Sequence, residues 1–582
     1  MNDIRRTILW VIFGFSMVLL WDQWQIHNGQ KATFFPAPVA ANKEAASAPV
    51  SGASNAGVPT PAAIATSNAA STMPAEQRTA TKERIDVETD VMRVQFDTAG
   101  GTVSRVEFLK HADLTRPDQN MVLLDDSKDR YYQAQSGLLA TVPGVTYPTH
   151  KTLMTVRPGA RSLDNSAQEL SVVFESPEVQ GVKLVKTYTL KRGTYDMSVT
   201  HAVVNTSNQA VSPQLYVQLV RDGNKPAGES SFYSTFTGPA VYTELKKYQK
   251  VEFADIKKKK ADFEKQSPSG YIAMVQHYFA SAWLLPDGLN RDISMDAVDI
   301  GTQLPDCCYR TTMIAQLPEI KAGETYKINA TLFAGPQEEN YLEALYPGLE
   351  LVKDYGWLTI LAKPLYWLLD QLNQLLKNWG WSIVALVVLL KAAFYWLNAH
   401  AYRSMGKMKA INPRIMEMRE RLKDNPQQMQ VEMMKIYREE KVNPMGGCLP
   451  IAIQIPVFIA LYWVLLSTVE IRNAPWIGWV HDLAAPDPYF ILPLLMTATT
   501  LLQTWLNPTP PDPMQAKLMW IMPLAFSVMF FFFPAGLVLY WLTNNILSIA
   551  QQWMINKQRP AMDDQQTNGR FELTLKPFLT GR

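Results

Sequence analysis

The chain has 582 residues, of which 47% are hydrophobic and 19% are charged, and its formal net charge is only +2. This balance excludes a nucleic-acid binder held by bulk charge, and a content of three cysteines excludes a disulfide-scaffolded secreted protein. The apolar residues are concentrated in one N-terminal stretch and in residues 357–553, which indicates an integral membrane protein with a large water-exposed domain.

In residues 1–27, Arg5 and Arg6 precede the apolar run Thr7–Trp21. Such a start is typical of a signal peptide or of a membrane anchor. No small-residue cleavage site of the A-x-A kind follows the run, so the sequence favours an uncleaved anchor. Residues 28–84 are predicted to be a flexible linker, because 26 of the 45 residues in 36–80 are Ala, Ser or Pro and bury too little surface to offset the entropy of ordering.

Residues 85–340 show the period of two that half-buried strands have. Val106 and Phe108 alternate with charged neighbours, and apolar and polar residues alternate through Leu215–Leu219. Many short strands of this kind predict a large antiparallel sandwich. The lysine-rich segment Tyr242–Lys265 breaks the pattern and is predicted to be a loop or a short helix.

The chain contains no recognisable catalytic or metal-binding motif. It has seven His residues, none in an HExxH arrangement, and neither a GxSxG sequence nor a phosphate-binding loop. We therefore expect no enzyme activity, no cofactor and no metal ion. Cys307 and Cys308 are adjacent and could form a disulfide or bind a metal, but without a CxxC partner the sequence favours two free thiols.

Residues 341–379 include a helix-forming stretch that is apolar on one side. Its leucines recur at helical spacing, at Leu365, Leu368, Leu369, Leu372, Leu375 and Leu376. Pro364 and three charged residues interrupt the stretch. The pattern favours an amphipathic helix lying in the membrane interface, with a transmembrane span as the alternative.

Five further apolar segments follow, each near the roughly 20 residues that a spanning helix needs. They are Trp381–Tyr402, Leu449–Val469, Tyr489–Leu506, Leu518–Phe533 and Leu537–Trp553. With the anchor they make six spans, of which span 2 covers 380–402 and spans 3–6 cover 448–553. An N-in orientation places eighteen Lys or Arg inside and one outside, leaving aside the large domain, so both termini, including the tail 554–582, are predicted to be cytoplasmic.

Lys391 is the only charged residue of its span and lies near the middle of that span. A charge at that depth costs roughly 2.5–3.5 kcal/mol on insertion scales and usually faces a polar cavity or a partner. The other spans contain no acidic residue, so we expect neutral polar side chains around Lys391 in a water-filled groove. The candidates are Gln454, Thr497, Thr500, Gln503, Thr543, Asn544 and Asn545. The alternative is that Lys391 snorkels to an interface.

Residues 403–447 are predicted to form a cytoplasmic hairpin of two helices, broken at Asp424-Asn425-Pro426. The hairpin is rich in methionine, which suits surfaces that take varied apolar partners, although these residues equally suit ordinary packing. Its basic residues could meet anionic headgroups or ribosomal RNA. A groove beside such a hairpin favours the handling of hydrophobic polypeptide, and the lack of paired membrane carboxylates argues against a proton-coupled transporter.

Several specific stretches occur in the helical part of the sequence. They are Asn378-Trp379-Gly380, Lys441–Pro450 (KVNPMGGCLP), His481-Asp482-Leu483, Asp487-Pro488-Tyr489, Asp512-Pro513-Met514 and Pro534–Tyr540 (PAGLVLY). Through these stretches the chain resembles the YidC/Oxa family of membrane insertases, in the form found in Gram-negative bacteria. The resemblance implies a polytopic α-helical membrane protein of six spans, five of them forming the insertase core, with an all-β supersandwich domain at 85–340 in the periplasm. It also implies a location in the bacterial inner membrane.

By this resemblance the protein is expected to insert and fold inner-membrane proteins, alone or with the Sec translocon, through a hydrophilic groove containing a positive charge. The implied partners are nascent inner-membrane proteins, the ribosome, the Sec translocon with its accessory subunits and membrane lipids, with no DNA. The alternatives are a small-solute transporter or channel with a periplasmic ligand-binding domain, and an anchored ligand-binding or carbohydrate-acting domain.

The residue chemistry described above and the resemblance together give the expected contact residues, and the resemblance itself contributes Tyr540 and Trp541. The groove residues expected to contact clients are Lys391, Gln454, Gln503, Tyr540, Trp541 and Asn544. The hairpin residues expected to contact clients or the ribosome are Met405, Met408, Met416, Met418, Met433 and Met434. The family's groove charge is typically Arg, so Lys391 preserves the charge but lacks the bidentate guanidinium fork.

Overall fold

The computed structural model describes residues 82–113, 115–226, 235–301, 304, 307–422, 425–440, 449–507 and 513–575. The chain divides into two compact units, one ending at Asp354 and the other beginning at Tyr355. The predicted anchor, most of the predicted linker and the stretch 441–448 lie outside the described residues.

The first unit is a sandwich of two antiparallel sheets, which confirms the predicted fold of this region. Its strands are β1 Arg84–Glu88, β2 Met92–Asp97, β3 Thr102–Ala112, β4 Asn120–Val122, β5 Asp125–Asp126, β6 Tyr131–Leu139, β7 Thr155–Val156, β8 Glu169–Glu175, β9 Val182–Lys191, β10 Asp196–Asn205, β11 Gln214–Arg221, β12 Gly238–Thr243, β13 Lys247–Lys250, β14 Gln266–Ser267, β15 Tyr271–Gln276, β16 Phe279–Leu284, β17 Arg291–Ala297, β18 Tyr309–Gln316 and β19 Thr325–Pro336. Two short helices belong to the same unit, α1 Phe253–Lys257 and α2 Glu339–Leu345.

One sheet has the strand order β1-β2-β3-β6-β11-β18-β17-β14, with β4 paired to β3 and β5 paired to β6. The other has the order β13-β12-β15-β16-β19-β10-β9-β8-β7. Burial alternates along β9 and β10, as expected for strands with one face on the core. In contrast, every residue of β11 is buried, so the alternation in Leu215–Leu219 does not mark an exposed face. The strand lies inside its sheet, between β6 and β18.

The lysine-rich segment Tyr242–Lys265 differs in part from the prediction of a loop or short helix. It contains helix α1, but Lys247–Lys250 also pair with β12 as the edge strand β13. The Tyr242 ring stacks on Tyr271 of β15 at a centroid distance of 5.4 Å, which holds the β12–β13 hairpin on the sheet. Cys307 and Cys308 directly precede β18, and two free thiols stay the prediction for this pair.

A buried amine links the two sheets of the sandwich. Lys186 of β9 is fully buried, and its Nζ donates to the carbonyl oxygens of Gly100 at 2.6 Å and of Ser136, on β6, at 2.7 Å. Gly100 has a φ of +68° and lies so close to His150 that a Cβ atom would come within 2.3 Å of the His150 Cα atom. Burial lowers the pKa of Lys186 to about 7, because the charged form loses its hydration.

Two buried imidazoles lie close to this amine. The Nε2 atom of His201 is 2.9 Å from the Ser136 hydroxyl, and the Nδ1 atom of His150 is 2.6 Å from the Tyr216 hydroxyl. Burial, and after it the positive charge of Lys186, lowers the pKa of each histidine to about 3. Both imidazoles are therefore neutral at physiological pH.

Because His150 and His201 are buried in their neutral form, we expect the sandwich to lose stability in mild acid. Below pH 6.5 the unfolded chain protonates His150 and His201 while the folded chain does not, so stability falls progressively until about pH 3. We expect a loss of about 2 kcal/mol per histidine between pH 6.5 and pH 5. Calorimetry of the full chain in nanodiscs measures this as a falling transition temperature of the sandwich.

The substitution His201→Gln is the matched control, because Gln can keep a hydrogen bond to Ser136 without titrating. It should remove about half of the acid-induced loss that the two histidines cause. An unchanged pH dependence in His201→Gln would show that this histidine is not the origin of the acid sensitivity.

The second unit is helical. Its helices are α3 Thr359–Leu376, α4 Trp379–Ala393, α5 Tyr395–Arg421, α6 Pro426–Glu439, α7 Leu449–Ser467, α8 Ile491–Leu506, α9 Pro513–Met529 and α10 Ala535–Leu575. By length and composition, none of the described helices alone could cross a membrane. Taken together, Trp379–Ala393 and Tyr395–Met408 are long and apolar enough to cross a membrane, but the two helices are bent by 63° relative to each other.

Helix α3 is amphipathic, as the leucine spacing predicted. Leu365 and Leu369 are buried, and Leu368 and Leu372 pack against the same core. Leu375, however, is 78% exposed at the end of the helix. The helix therefore packs along one side against α4 and α7 and leaves apolar residues on its other side.

The predicted break between the hairpin helices is confirmed. The Asn425 side chain accepts a hydrogen bond from the backbone N–H of Gln428 at 3.2 Å, and Pro426 occupies the first turn of α6. The first hairpin helix does not begin at Arg403. It starts at Tyr395, directly after the bend, so α5 continues from the apolar segment into the hairpin without interruption.

Candidate functional site

The candidate site is positioned by residues 473–487, which we call the anchoring loop. Asn378 caps α4 by accepting a hydrogen bond from the Trp381 N–H at 3.0 Å, and its amide donates to the Trp476 carbonyl at 3.4 Å. Gly380 lies against Trp476 so closely that a Cβ atom would come within 2.2 Å of the indole ring. The Asn378-Trp379-Gly380 stretch therefore fixes the start of α4 on the anchoring loop.

The anchoring loop also fixes the starts of α8 and α10. Asp487 is 1% exposed, and its carboxylate accepts hydrogen bonds from the Trp479 indole, from Tyr489 and, at 2.7 Å, from the Leu492 N–H in the first turn of α8. The N–H of Ala535, the first residue of α10, donates to the Ala485 carbonyl at 2.8 Å. Three helices thus begin at one level of the bundle.

This common start determines which side chains meet further along the bundle. Lys391 lies thirteen residues after Asn378, and Ser548 lies thirteen residues after Ala535. At 1.5 Å per residue both are roughly 20 Å from the anchoring loop. Accordingly, the Lys391 Nζ donates a hydrogen bond to the Ser548 Oγ at 2.8 Å. Lys391 occupies the last turn of α4, next to the bend, and not the middle of a straight span.

Neutral polar groups continue from this contact to α7. The Ser548 hydroxyl donates to the Asn544 carbonyl at 2.7 Å, and the Gln454 amide donates to the Asn544 side-chain oxygen at 2.7 Å. The sequence proposed Gln454 and Asn544 as neighbours of Lys391, and the structure brings all three to one place.

These residues border an open cleft with about 420 Å³ of empty space, part of which is open to solvent. Its polar lining consists of Lys391, Asn398, Gln454, Tyr540 and Asn544, and the remaining lining residues are apolar. None of the described residues that line the cleft is a carboxylate. The positive charge therefore faces an environment of neutral hydrogen-bonding groups.

Two residues assigned to the groove by resemblance do not line this cleft. Gln503 is half-buried on α8. The Trp541 ring packs against Phe458 at a centroid distance of 4.6 Å and against Phe530 at 5.2 Å. Trp541 follows Tyr540 on α10 and so points about 100° away from it around the helix axis.

Other polar candidates stabilise the helices themselves. The Thr497 and Thr543 hydroxyls donate to carbonyls four residues earlier on their own helices. The Asn545 amide donates to the Thr500 hydroxyl at 2.8 Å, which ties α10 to α8. Sequence reasoning missed Ser548, although its spacing of four from Asn544 puts both on one face of α10.

The hairpin methionines divide into buried and exposed residues. Met418 is 4% exposed and packs with Ile411, Ile415 and Ile436, and Met408 and Met433 pack against this cluster. Met416 and Met434 are 48% and 47% exposed. The side chain of Met405 lies outside the part that the structure describes. The packing interpretation therefore holds for Met418, while Met416 and Met434 offer contact surface.

The β-sandwich has an open cleft of its own, with an empty volume of about 1320 Å³. Three of the charged residues on its lining are paired, because the Lys82 Nζ lies 2.5 Å from an Asp97 carboxylate oxygen and 3.6 Å from one of Asp126. Gln133 and Gln135 of β6 form its floor with a mutual hydrogen bond of 2.8 Å. The cleft belongs to the sandwich alone.

Two family models together match most of the chain. Residues 84–368 match the family described as the YidC periplasmic domain, and residues 371–563 match the family described as 60Kd inner membrane protein. The first match covers the β-sandwich and extends into α3, and the second covers the helices that form the Lys391 cleft.

Curated relatives cover nearly the full chain. The membrane protein insertase YidC of Cupriavidus necator is 54% identical over 559 residues, which is 95% of this chain and 98% of the relative. That of Bordetella pertussis is 50% identical over 559 residues, with the same coverage. A crystal structure of an active YidC insertase with its first transmembrane domain resolved is 19% identical and covers 81% of this chain and 92% of its own, with a TM-score of 0.36.

The contact between Gly380 and Trp476 predicts a sharp steric effect. A methyl group in Gly380→Ala must displace the indole ring, which should destabilise the bundle by about 1–3 kcal/mol. Thermal unfolding in nanodiscs measures this cost. In a Trp476→Ala background the same substitution should be close to neutral, because the obstructing ring is gone. Equal costs in both backgrounds would contradict the steric explanation.

Proposed function

The chain belongs to the YidC family of membrane protein insertases and acts on inner-membrane proteins, and we propose that it takes the polar segment of a client into the cleft beside Lys391. The observation that carries this proposal is a cation bordered by neutral polar side chains of three helices, with no carboxylate among the described lining residues. A client carboxylate would complement that charge.

The proposed topology places the sandwich in the periplasm and both termini in the cytoplasm. Residues 1–27 would anchor the chain, 28–84 would link the anchor to the sandwich, and 380–402 with 448–553 would supply the other five spans. Helix α3 would lie in the interface, which its exposed Ile360, Trp367 and Leu375 support, since apolar side chains facing away from the bundle favour acyl chains.

The energetics need no nucleotide. Two opposite charges 4 Å apart attract by about 4 kcal/mol at an effective dielectric constant of 20, which offsets part of the cost of moving an acidic tail into the bundle. The neutral donors and acceptors of the cleft replace some of the tail's lost water contacts. Burying the client's apolar segment in lipid, at about 25 cal/mol per Å², then drives release from the cleft without chemical catalysis.

The hairpin is proposed to receive the client before the cleft does. Met416, Val431 and Met434 are exposed, and methionine adapts to apolar segments of varied shape. By its relation to the family, the chain is proposed to work with the ribosome, with the Sec translocon and its accessory subunits, and with membrane lipids.

Reversal of the cleft charge tests the proposal directly. Lys391→Glu should lower insertion of a client with a short acidic tail by about tenfold or more, because attraction becomes repulsion. Lys391→Arg should retain most of the activity, since it keeps the charge. The measurement is protease protection of the translocated tail in liposomes containing the purified protein and a ribosome-made client.

Lys517→Glu is the matched control, because Lys517 is an exposed residue of α9 that does not line the cleft. It should leave insertion near the level of the unsubstituted protein. Insertion that survives Lys391→Glu, at a level above that of empty liposomes, would locate the function elsewhere in the bundle.

The two classes of hairpin methionine predict separable effects. Met416→Ser with Met434→Ser should reduce cross-linking of the hairpin to an apolar client segment while leaving the hairpin folded, because both side chains are exposed. Met418→Ser should instead destabilise the hairpin by about 1–3 kcal/mol, since it places a hydroxyl in an apolar cluster. Cross-linking yield and thermal unfolding distinguish the two, and loss of cross-linking only in Met418→Ser would contradict a client-binding role for the exposed pair.

A further inference from the structure

We propose that Ser548 is the resting partner of Lys391: its hydroxyl holds the ammonium group beside the cleft until a client carboxylate replaces it. The inference rests on the proposed function of Lys391 and adds a second residue, on a different helix, that sets how strongly the cleft prefers acidic clients. Ser548 is here a positioning residue that acts through Lys391.

The geometry fixes the roles of the two groups. Ser548 is 2% exposed, and its hydroxyl proton is directed to the Asn544 carbonyl, 2.7 Å away. A hydroxyl has one proton and two lone pairs, so the oxygen of Ser548 is left as an acceptor. The Lys391 Nζ, 2.8 Å from that oxygen, is the donor. The ammonium group is therefore held by a neutral acceptor that is itself oriented by the helix backbone.

The chemistry of this acceptor makes the contact exchangeable. The ammonium group is an ionised donor in both pairs, so both hydrogen bonds are charge-assisted. Only a carboxylate also carries the opposite charge and adds a Coulomb attraction, whereas a hydroxyl binds the ammonium group without neutralising it. A client carboxylate can therefore displace Ser548, whereas an uncharged client tail gains no comparable advantage.

The cleft wall keeps its hydrogen bonds when the Lys391 ammonium group moves from Ser548 to a client carboxylate. The hydroxyl of Ser548 retains its bond to Asn544, and Asn544 retains its side-chain bond to Gln454 at 2.7 Å. The contacts between α10 and α7 therefore do not depend on the position of the ammonium group. Exchange of the Lys391 partner requires no rearrangement of the helices that form the wall.

Ser527 supplies a matched control within the same bundle. It is 4% exposed on α9, and its hydroxyl donates to the carbonyl of Pro523, four residues earlier, at 2.7 Å. Ser548 makes the same kind of backbone bond, but it also contacts Lys391 and shares a side-chain hydrogen bond with Tyr402. Ser527→Ala thus controls for the removal of a buried helical hydroxyl and its backbone bond without affecting the cation.

The experiment uses the full chain in liposomes and two single-span clients. The short tail of one client contains Asp and Glu, and the tail of the other has Asn and Gln at the same positions. The readout is the ratio of acidic-tail to neutral-tail insertion, measured by protease protection. Ser548→Ala should raise this ratio about threefold, because the carboxylate no longer competes with a resting partner. Ser548→Asp should abolish the preference by pairing Lys391 permanently, and Ser527→Ala should leave the ratio unchanged.

A double substitution separates the two proposals. In a Lys391→Gln background, Ser548→Ala should no longer alter the ratio, because the interaction between the two residues is already absent. If Lys391→Gln abolishes the acidic preference but Ser548→Ala leaves the ratio as in the unsubstituted protein, or changes it only as Ser527→Ala does, the resting-partner role is wrong and the function of Lys391 stands. If the protein shows no acidic preference at all, both proposals fail.

Discussion

The helical unit depends on one constraint, the attachment of several helix starts to a single loop. A buried carboxylate, Asp487, satisfies an indole N–H and two backbone N–H groups there, while Asn378 and Ala535 tie α4 and α10 to neighbouring carbonyls. Because an α-helix rises by a fixed amount per residue, helices that start together align their side chains by residue count. The meeting of Lys391 and Ser548 is a consequence of this alignment.

The chain stabilises buried amines with neutral oxygen atoms in both units. In the sandwich, Lys186 is fully enclosed and held by two backbone carbonyls, which cannot be displaced without opening the sheets. In the helical unit, Lys391 remains half-buried and is held by one side-chain hydroxyl at the edge of a cleft. Neutral acceptors leave the charge of an amine uncompensated. Lys186 has a structural role because the sandwich encloses it completely, whereas a ligand in the cleft can reach Lys391.

Much of this architecture could be predicted from the sequence. Alternation in β3, where Val106 and Phe108 are buried, revealed the sandwich, and a lone charge in an apolar segment identified Lys391. At Leu215–Leu219 the alternation of apolar and polar residues wrongly predicted one exposed face, because both faces of β11 are buried. Ser548 was missed because a helical serine often bonds only to its own backbone. Its contact with Lys391 depends on how α4 and α10 are aligned, which the anchoring-loop contacts determine and residue types alone do not.

The continuity of α5 has a mechanical consequence. The helix spans 27 residues, or roughly 40 Å, and it includes both Asn398 in the wall of the cleft and Met418 in the packed hairpin. Its first residue, Tyr395, directly follows the 63° bend after the helix that carries Lys391. Pro413 removes one backbone hydrogen bond inside α5 and so weakens the helix locally. Because no loop separates the hairpin from the cleft wall, a displacement of the hairpin would reach the cleft through α5 itself, except for any bending at Pro413.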